Sequence, residues 1–280
     1  MREINVKEIT KAVAEMAIQT NHTLSADVCS RIAGCREMET WPVAINVLEK
    51  IEENIDIAGE GVFPLCQDTG MACIFLEIGQ DVHLVGGHVE EAVHEGVREG
   101  YEKGYLRKSV VKDPIRRGNT GDNTPAHIHY EIVPGDHVKI IFAPKGFGSE
   151  NMSQIRMFPP AAGEKGVKDF VVQVVKDAGA NPCPPIVVGV GIGGTFDRAA
   201  LMAKEALLVP FDEKNPDPYY NDMEMELLER INALGIGPQG LGGKTTALAV
   251  KIKTFPTHIA GMPVAVNINC HVSRHAERLL

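Results

Sequence analysis

No two cysteines in this 280-residue chain stand in a Cys-x-x-Cys pair, which removes zinc ribbons and thioredoxin-like redox sites from consideration. Basic residues are also short. Lys and Arg total 28 against 37 Asp and Glu, for a net charge of −9. A general nucleic-acid or anionic-membrane binder needs a basic surface to release counterions, so neither class fits. Any anionic substrate must then meet a local basic cluster. No stretch approaches the ~18 unbroken apolar residues of a bilayer span. The N-terminus, Met1-Arg-Glu-Ile-Asn-Val-Lys-Glu, has no apolar signal core, and a cytoplasmic location is expected. There is no internal repeat, low-complexity segment or linker. A single domain over residues 1–280 is therefore expected, long enough to bury a sizeable core.

Hydrophobic periodicity supplies the elements. Val6, Ile9, Val13 and Met16 recur at helical spacing, and Ala44, Leu48, Ile51 and Ile55 repeat the pattern after a helix start near Trp41-Pro42. Residues 71–78 and 81–85 read as strands, and residues 88–111 as a helix with Val93, Val97 and Tyr101 on one side. Residues 112–125 have no periodicity, and a loop of that length in a compact domain is usually functional or disordered. Ala126, Ile128, Tyr130 and Ile132 alternate with polar residues, Pro134-Gly-Asp turns the chain, and residues 138–142 follow, which predicts a β-hairpin. The second half reads as helix 163–177, strand 186–190, helices 196–208 and 219–234, and strands 246–253 and 264–268. This order favours a mixed α/β (α+β) fold, a mixed sheet flanked by helices with a helical N-terminal region.

Cys66, Cys183 and Cys270 lie in short polar or proline-rich settings: Pro-Leu-Cys66-Gln-Asp-Thr-Gly, Asn-Pro-Cys183-Pro-Pro and Asn-Ile-Asn-Cys270-His. Cys73, inside Met-Ala-Cys73-Ile-Phe-Leu, reads instead as a small core hydrophobe. Cys29 and Cys35 are assigned packing roles. Three thiolates are one short of closing a cubane iron-sulfur cluster, and the remaining iron is left to act as a Lewis acid. Gln67 and Asp68 follow the first thiol directly, which puts an amide and an ionisable carboxylate beside it; Asp-Thr-Gly is equally good turn chemistry. His258 ends a strand twelve residues ahead of Cys270, from where a strand pair would return it towards the thiol. Arg107, Arg116 and Arg117 are candidates for carboxylate recognition through their planar forks. Gly146 and Gly148 would let backbone amides approach an oxyanion.

Two segments imitate nucleotide sites. Gly189-Val-Gly-Ile-Gly-Gly194 follows an apolar strand and precedes a helix, but no acidic ribose-binding residue ends a strand about twenty residues on. Gly242-Gly-Lys-Thr-Thr246 resembles a phosphate loop with the wrong glycine spacing and a strand where a helix belongs. They support a competing reading as a nucleotide-dependent oxidoreductase.

Taken in order, Cys66-Gln-Asp-Thr-Gly, Gly118-Asn-Thr-Gly-Asp-Asn-Thr-Pro, Lys145-Gly-Phe-Gly-Ser-Glu-Asn, Asn181-Pro-Cys-Pro-Pro, Gly191-Ile-Gly-Gly-Thr-Phe-Asp and Asn269-Cys-His resemble the N-terminal domain of iron-sulfur class I fumarases and the alpha subunit of L-tartrate dehydratases. The resemblance implies a 4Fe-4S cluster held by Cys66, Cys183 and Cys270, with Gln67, Asp68, Arg107, Gly148 and His258 around a small dicarboxylate. It makes Asp68 and His258 catalytic, Gln67, Arg107 and Gly148 substrate-binding, and the run 189–194 a close-packing turn. It implies fumarate–L-malate interconversion, with L-tartrate dehydration as the alternative. Single-chain members continue into a second domain, so a separate beta subunit is expected, docked on an apolar rim near Cys66 and Cys270, within a dimer of heterodimers.

Overall fold

The computed structural model describes residues 1–280. Along the chain it contains β1 (Arg2–Asn5), α1 (Val6–His22), α2 (Ala26–Met38), α3 (Pro42–Gly59), β2 (Met71–Gly79), β3 (Val82–Val85), α4 (Val89–Lys103), β4 (His127–Val133), β5 (Val138–Lys145), α5 (Phe147–Glu150), β6 (Gln154–Phe158), α6 (Gly163–Ala178), β7 (Ile186–Gly193), α7 (Phe196–Ala206), α8 (Pro218–Asn232), β8 (Ala247–Phe255), β9 (Met262–Asn269) and β10 (Ala276–Leu279). The fold is mixed α/β, as expected. It divides into two compact units, each assembled from separated stretches of sequence.

The first unit comprises residues 1–24, 55–147 and 274–280. Asn5 opens α1 with a capping box: its side chain accepts from Lys7 N at 3.0 Å while Glu8 Oε1 accepts from Asn5 N at 3.3 Å. The Val6, Ile9, Val13, Met16 stripe is buried against α4, whose Val93, Val97 and Tyr101 face it. Gly96 and Gly100 permit that approach, since a Cβ would stand 2.6 Å from Thr10 O at the first and 2.8 Å from Ala14 O at the second.

The sheet order β10-β5-β2-β4 overturns the predicted hairpin. β4 and β5 do not pair with each other; β2 lies between them, parallel to β4 and antiparallel to β5. The reason lies in burial. Residues 72–76 of β2 are all buried and their strand takes a central place, whereas β4, largely exposed, serves as the edge. The turn between β4 and β5 crosses the end of β2 at Gly79, where Gly79 N donates to His137 O at 2.8 Å and a Cβ would fall 2.5 Å from Gly135 O.

The second unit comprises residues 25–54 and 148–273. Its sheet runs β6-β9-β7-β8, with β7 parallel to β8 and antiparallel to β9. Val188, Val190, Val264, Val266 and Ile252 join residues of α6 and α8 in one core, and Ala199 and Ala203 of α7 meet Ala265 on the other face. Gly189 and Gly191 lie under α7: a Cβ on either would stand 2.1 Å from a carbonyl of Ala203 or Ala199. The glycine run is thus the place where a helix packs closely on a strand. Cys29 and Cys35 lie within α2, a helix the sequence pattern does not reveal, and Cys35 is buried there.

Candidate functional site

The 66–70 loop leaves α3 and enters β2, and nearly every residue of it is fixed. Asp68 N points at Cys66 Sγ, 3.4 Å away. The Asp68 carboxylate accepts Gly70 N at 3.1 Å on Oδ1, an Asx turn, and Phe147 N at 3.0 Å on Oδ2. Gly146 closes over it, since a Cβ there would stand 3.1 Å from Oδ2. Below the loop, the buried Tyr101 hydroxyl is shared between Thr69 O at 3.0 Å and Gly70 O at 2.9 Å. Burial pushes the Tyr101 phenol well above its ordinary range, so it remains a hydrogen-bond donor at any working pH. Asn123, fully buried, donates to Gly70 O at 3.2 Å and accepts Ser109 N at 2.7 Å. Arg274 Nη2 donates to Asp68 O at 2.6 Å.

Arg107 is bound to this loop through its backbone: Arg107 N donates to Thr69 Oγ1 at 2.9 Å, and Thr69 Oγ1 donates back to Arg107 O at 3.2 Å. Its guanidinium is exposed. Arg116 is occupied with Asp113 at 3.0 Å and Arg117 reaches Pro114 O at 3.4 Å, so these two serve the shape of the 112–118 excursion. Gln67 is exposed, while Cys66 and Asp68 are half-buried.

In the second unit, the register Val187↔Asn269 brings the start of β7 and the end of β9 to one edge of the sheet, which places Cys183 and Cys270 in neighbouring loops. His271 Nδ1 lies 3.0 Å from Cys183 O and 3.3 Å from Gln239 Nε2. Gln239 Nε2 ties the same edge to Pro184 O at 2.9 Å. Cys183 adopts φ +55°, a left-handed conformation that costs a non-glycine residue roughly 1 kcal/mol. Strain of this kind tends to persist where function requires a side chain to be held out, and Cys183 is exposed. Gly148 faces Asn181 in this unit, with a Cβ position 3.7 Å from Asn181 O.

Two readings from the sequence are corrected. His258 sits in the turn between β8 and β9, its Nδ1 accepting Ala260 N at 3.2 Å. Cys270 follows the opposite end of β9, an eight-residue strand that spans about 26 Å at ~3.3 Å per residue. The strand carries His258 away from Cys270 instead of returning it. The phosphate-loop lookalike is also accounted for: its backbone wraps a carboxylate of the protein itself. Glu39 Oε2 accepts Lys244 N at 2.6 Å, while Oε1 accepts Thr40 N at 2.8 Å and Trp41 N at 3.1 Å. Burial raises the Glu39 pKa, but these amides outweigh it and hold the carboxyl below its usual range.

The chain matches the family described as Fumarate hydratase (Fumerase) over residues 10–278. It belongs to the fumarate hydratase family. A protein of Methanocaldococcus jannaschii, provisionally named L(+)-tartrate dehydratase subunit alpha, is 40% identical over 274 residues, 96% of each chain. A protein of Escherichia coli O157:H7 named L(+)-tartrate dehydratase subunit alpha is 30% identical over 279 residues, covering 98% of this chain and 91% of its own. This fumarate hydratase family chain carries six thiols. Cys35 and Cys73 are buried, whereas Cys66, Cys183 and Cys270 occupy loop positions open to a ligand, one of them with an amide N–H directed at its sulfur. A soft thiolate with an amide donor at its sulfur, as at Cys66, suits an iron-sulfur ligand. Cys66 belongs to the first unit and the other two to the second. No group of three or more His, Cys, Asp and Glu side chains stands arranged around a single metal ion. No helix is long and apolar enough to cross a membrane.

Sequence reasoning missed Tyr101, Asn123, Thr69 and Arg274 as supports of the loop. Asn123 and Thr69 lie inside the quoted motifs, and Tyr101 is visible as a core position of α4. Arg274, in a short aperiodic tail after Cys270, offers no signal.

Proposed function

We propose that the chain is the alpha subunit of a hydro-lyase interconverting fumarate and L-malate, with a 4Fe-4S cluster on Cys66, Cys183 and Cys270 and a separate beta subunit. The observation that carries the reading is the placement of Asp68. Its carboxylate is held by two backbone N–H groups, two residues from the Cys66 thiol, on a loop whose Thr69 hydroxyl also fixes the Arg107 backbone. When bound, the cluster supplies Lewis-acid activation of a poor hydroxide leaving group. Asp68 gives its proton to the departing oxygen as general acid, and in hydration takes it back. The exposed Arg107 guanidinium pairs with one substrate carboxylate in its planar fork, Gln67 hydrogen-bonds the substrate, and Gly148 lends its backbone amide. His258 stands at the far end of β9 from Cys270. The base that removes the proton from the adjacent carbon belongs to the beta subunit, as do the groups for the second carboxylate. Ile57, Val62 and Phe63, exposed just ahead of Cys66, provide apolar area for that partner.

The subunit-alpha names of the relatives favour the two-chain assembly, and their tartrate dehydratase names favour a second reading, L-tartrate dehydration. One experiment addresses both. Alpha and beta chains, purified anaerobically and reconstituted with iron and sulfide, are assayed on L-malate, fumarate and L-tartrate. Fumarate hydration at least tenfold more efficient than tartrate dehydration is expected; the reverse ratio establishes the tartrate reading. The alpha chain alone, with its cluster loaded, is expected to be inactive, and ordinary turnover without a partner overturns the two-subunit assignment.

A further inference from the structure

Arg274 enters the loop network with its chemistry unfinished. It is 5% exposed, and of its guanidinium nitrogens only Nη2 has a partner, the Asp68 carbonyl at 2.6 Å. Nε and Nη1 are buried and unpartnered. A guanidinium has five N–H donors and does not deprotonate, so it cannot escape burial by becoming neutral as a lysine or histidine does. Buried charge is retained where an opposite charge completes it. No carboxylate of the chain pairs with Arg274. Its field nevertheless reaches the loop, because it opposes the effect of burial on the Tyr101 phenol directly beneath Thr69 and Gly70.

What becomes anionic on this loop is the Cys66 thiolate once it is a ligand, towards which Asp68 N already points. We propose that Arg274 is the positioning residue of the 66–70 loop, a fixed buried cation that clamps the Asp68 main chain and balances the negative charge brought by the Cys66 thiolate and its cluster. The inference rests on the iron-sulfur reading above. It assigns two separable contributions. The Nη2 bond holds the backbone that aims Asp68, and the charge stabilises the more negative state of the centre, since cluster potentials follow the charge and hydrogen bonding around them.

The two contributions separate by substitution in the alpha chain. Arg274→Lys keeps the cation but loses the planar fork, and Arg274→Met removes both. In the apo chain, hydrogen–deuterium exchange at residues 66–70 reports the clamp; Met is expected to raise it at least tenfold. In the reconstituted chain, an EPR-monitored reductive titration reports the charge. The potential is expected to fall in the Met variant and to return towards the wild-type value in the Lys variant. A Met variant with wild-type exchange and wild-type potential overturns the role of Arg274 while leaving the iron-sulfur reading intact. Equal potentials in Lys and Met, both displaced from wild type, overturn the charge contribution. A wild-type chain that takes up no cluster overturns the reading on which the inference stands. If Met prevents folding, Arg274→Gln, which retains a donor without charge, takes its place, and an unchanged potential in it has the same adverse meaning.

Discussion

Thr69 and Arg107, 38 residues apart, exchange two hydrogen bonds through one hydroxyl: Thr69 Oγ1 receives Arg107 N at 2.9 Å and donates to Arg107 O at 3.2 Å. With Thr69 1% exposed, the bonds are sheltered from water. Thr69→Val keeps the volume but takes the partner from a part-buried amide, at a cost of about 1 kcal/mol. If Arg107 pairs with a substrate carboxylate, releasing its backbone raises KM about tenfold, while Thr69→Ser retains near-normal values. Steady-state kinetics of the alpha–beta pair check this. A Val variant of undiminished thermal stability and unchanged KM removes Arg107 from the substrate site.

Gly146 and Gly148 make opposite demands and so discriminate support from contact. A Cβ on Gly146 would press on Asp68 Oδ2 at 3.1 Å, whereas on Gly148 it meets nothing nearer than 3.7 Å, and neither needs a left-handed backbone. Gly148→Ala is therefore expected to leave the melting temperature unchanged. If the Gly148 amide faces substrate, the same variant loses at least tenfold in kcat/KM. Gly146→Ala is expected to shift the Asp68 carboxylate and lower kcat. A fully active Gly148→Ala enzyme shows that the position is only part of a turn.

Replacing Cys66, Cys183 or Cys270 by serine is expected to abolish the cluster in each case, because a cubane left with two protein anchors is not retained. Cys29, Cys35 and Cys73 lie within a helix or a strand, and their serine variants should keep full iron content with at most a stability loss. Asp68→Asn is expected to keep the cluster and lower turnover by roughly 10²-fold. Iron and sulfide analysis of each variant decides the ligand set, and full iron in Cys183→Ser would reject it.

Much of this architecture was legible because period and burial agree. The stripes of α1 and α4 and the apolar runs of β2 and β7 stand where periodicity predicts them, although α4 ends at Lys103 and not at residue 111, so that the loop read at residues 112–125 begins earlier. The β4–β5 hairpin failed because neighbouring strands with a turn between them pair by default, and nothing local shows that buried β2 takes the place between them. The two units escaped notice for a similar reason. The chain passes between them at 24/25, 54/55, 147/148 and 273/274, partly within helices, so no linker composition marks a boundary. At the site, cysteines and their motif neighbours were visible as residue types. Arg274 was not, since its importance comes from a contact 206 residues away.

Glu39 carries the prediction most independent of activity. Its carboxylate, 6% exposed, gathers the amides of Thr40, Trp41 and Lys244, and its pKa is held below the ordinary value of 4.5. A carboxyl depressed in the folded state contributes stability that is fully present above its unfolded pKa and disappears as pH falls through the folded pKa. Glu39→Gln replaces charge-assisted bonds by neutral ones and turns an NH2 group towards amide donors, so at pH 7 the loss should be about 2 kcal/mol. As the pH falls below the ordinary carboxyl value and through the lower folded-state one, the wild-type carboxyl is protonated too, and the difference between the two proteins should shrink. Urea unfolding of both chains across pH 3–8, followed by the Trp41 signal, measures it; Trp41 is the single tryptophan and shares the Glu39 carboxylate through its backbone N–H. A difference that stays constant across this range means that the carboxylate charge contributes nothing and that the 242–246 loop holds its shape without it.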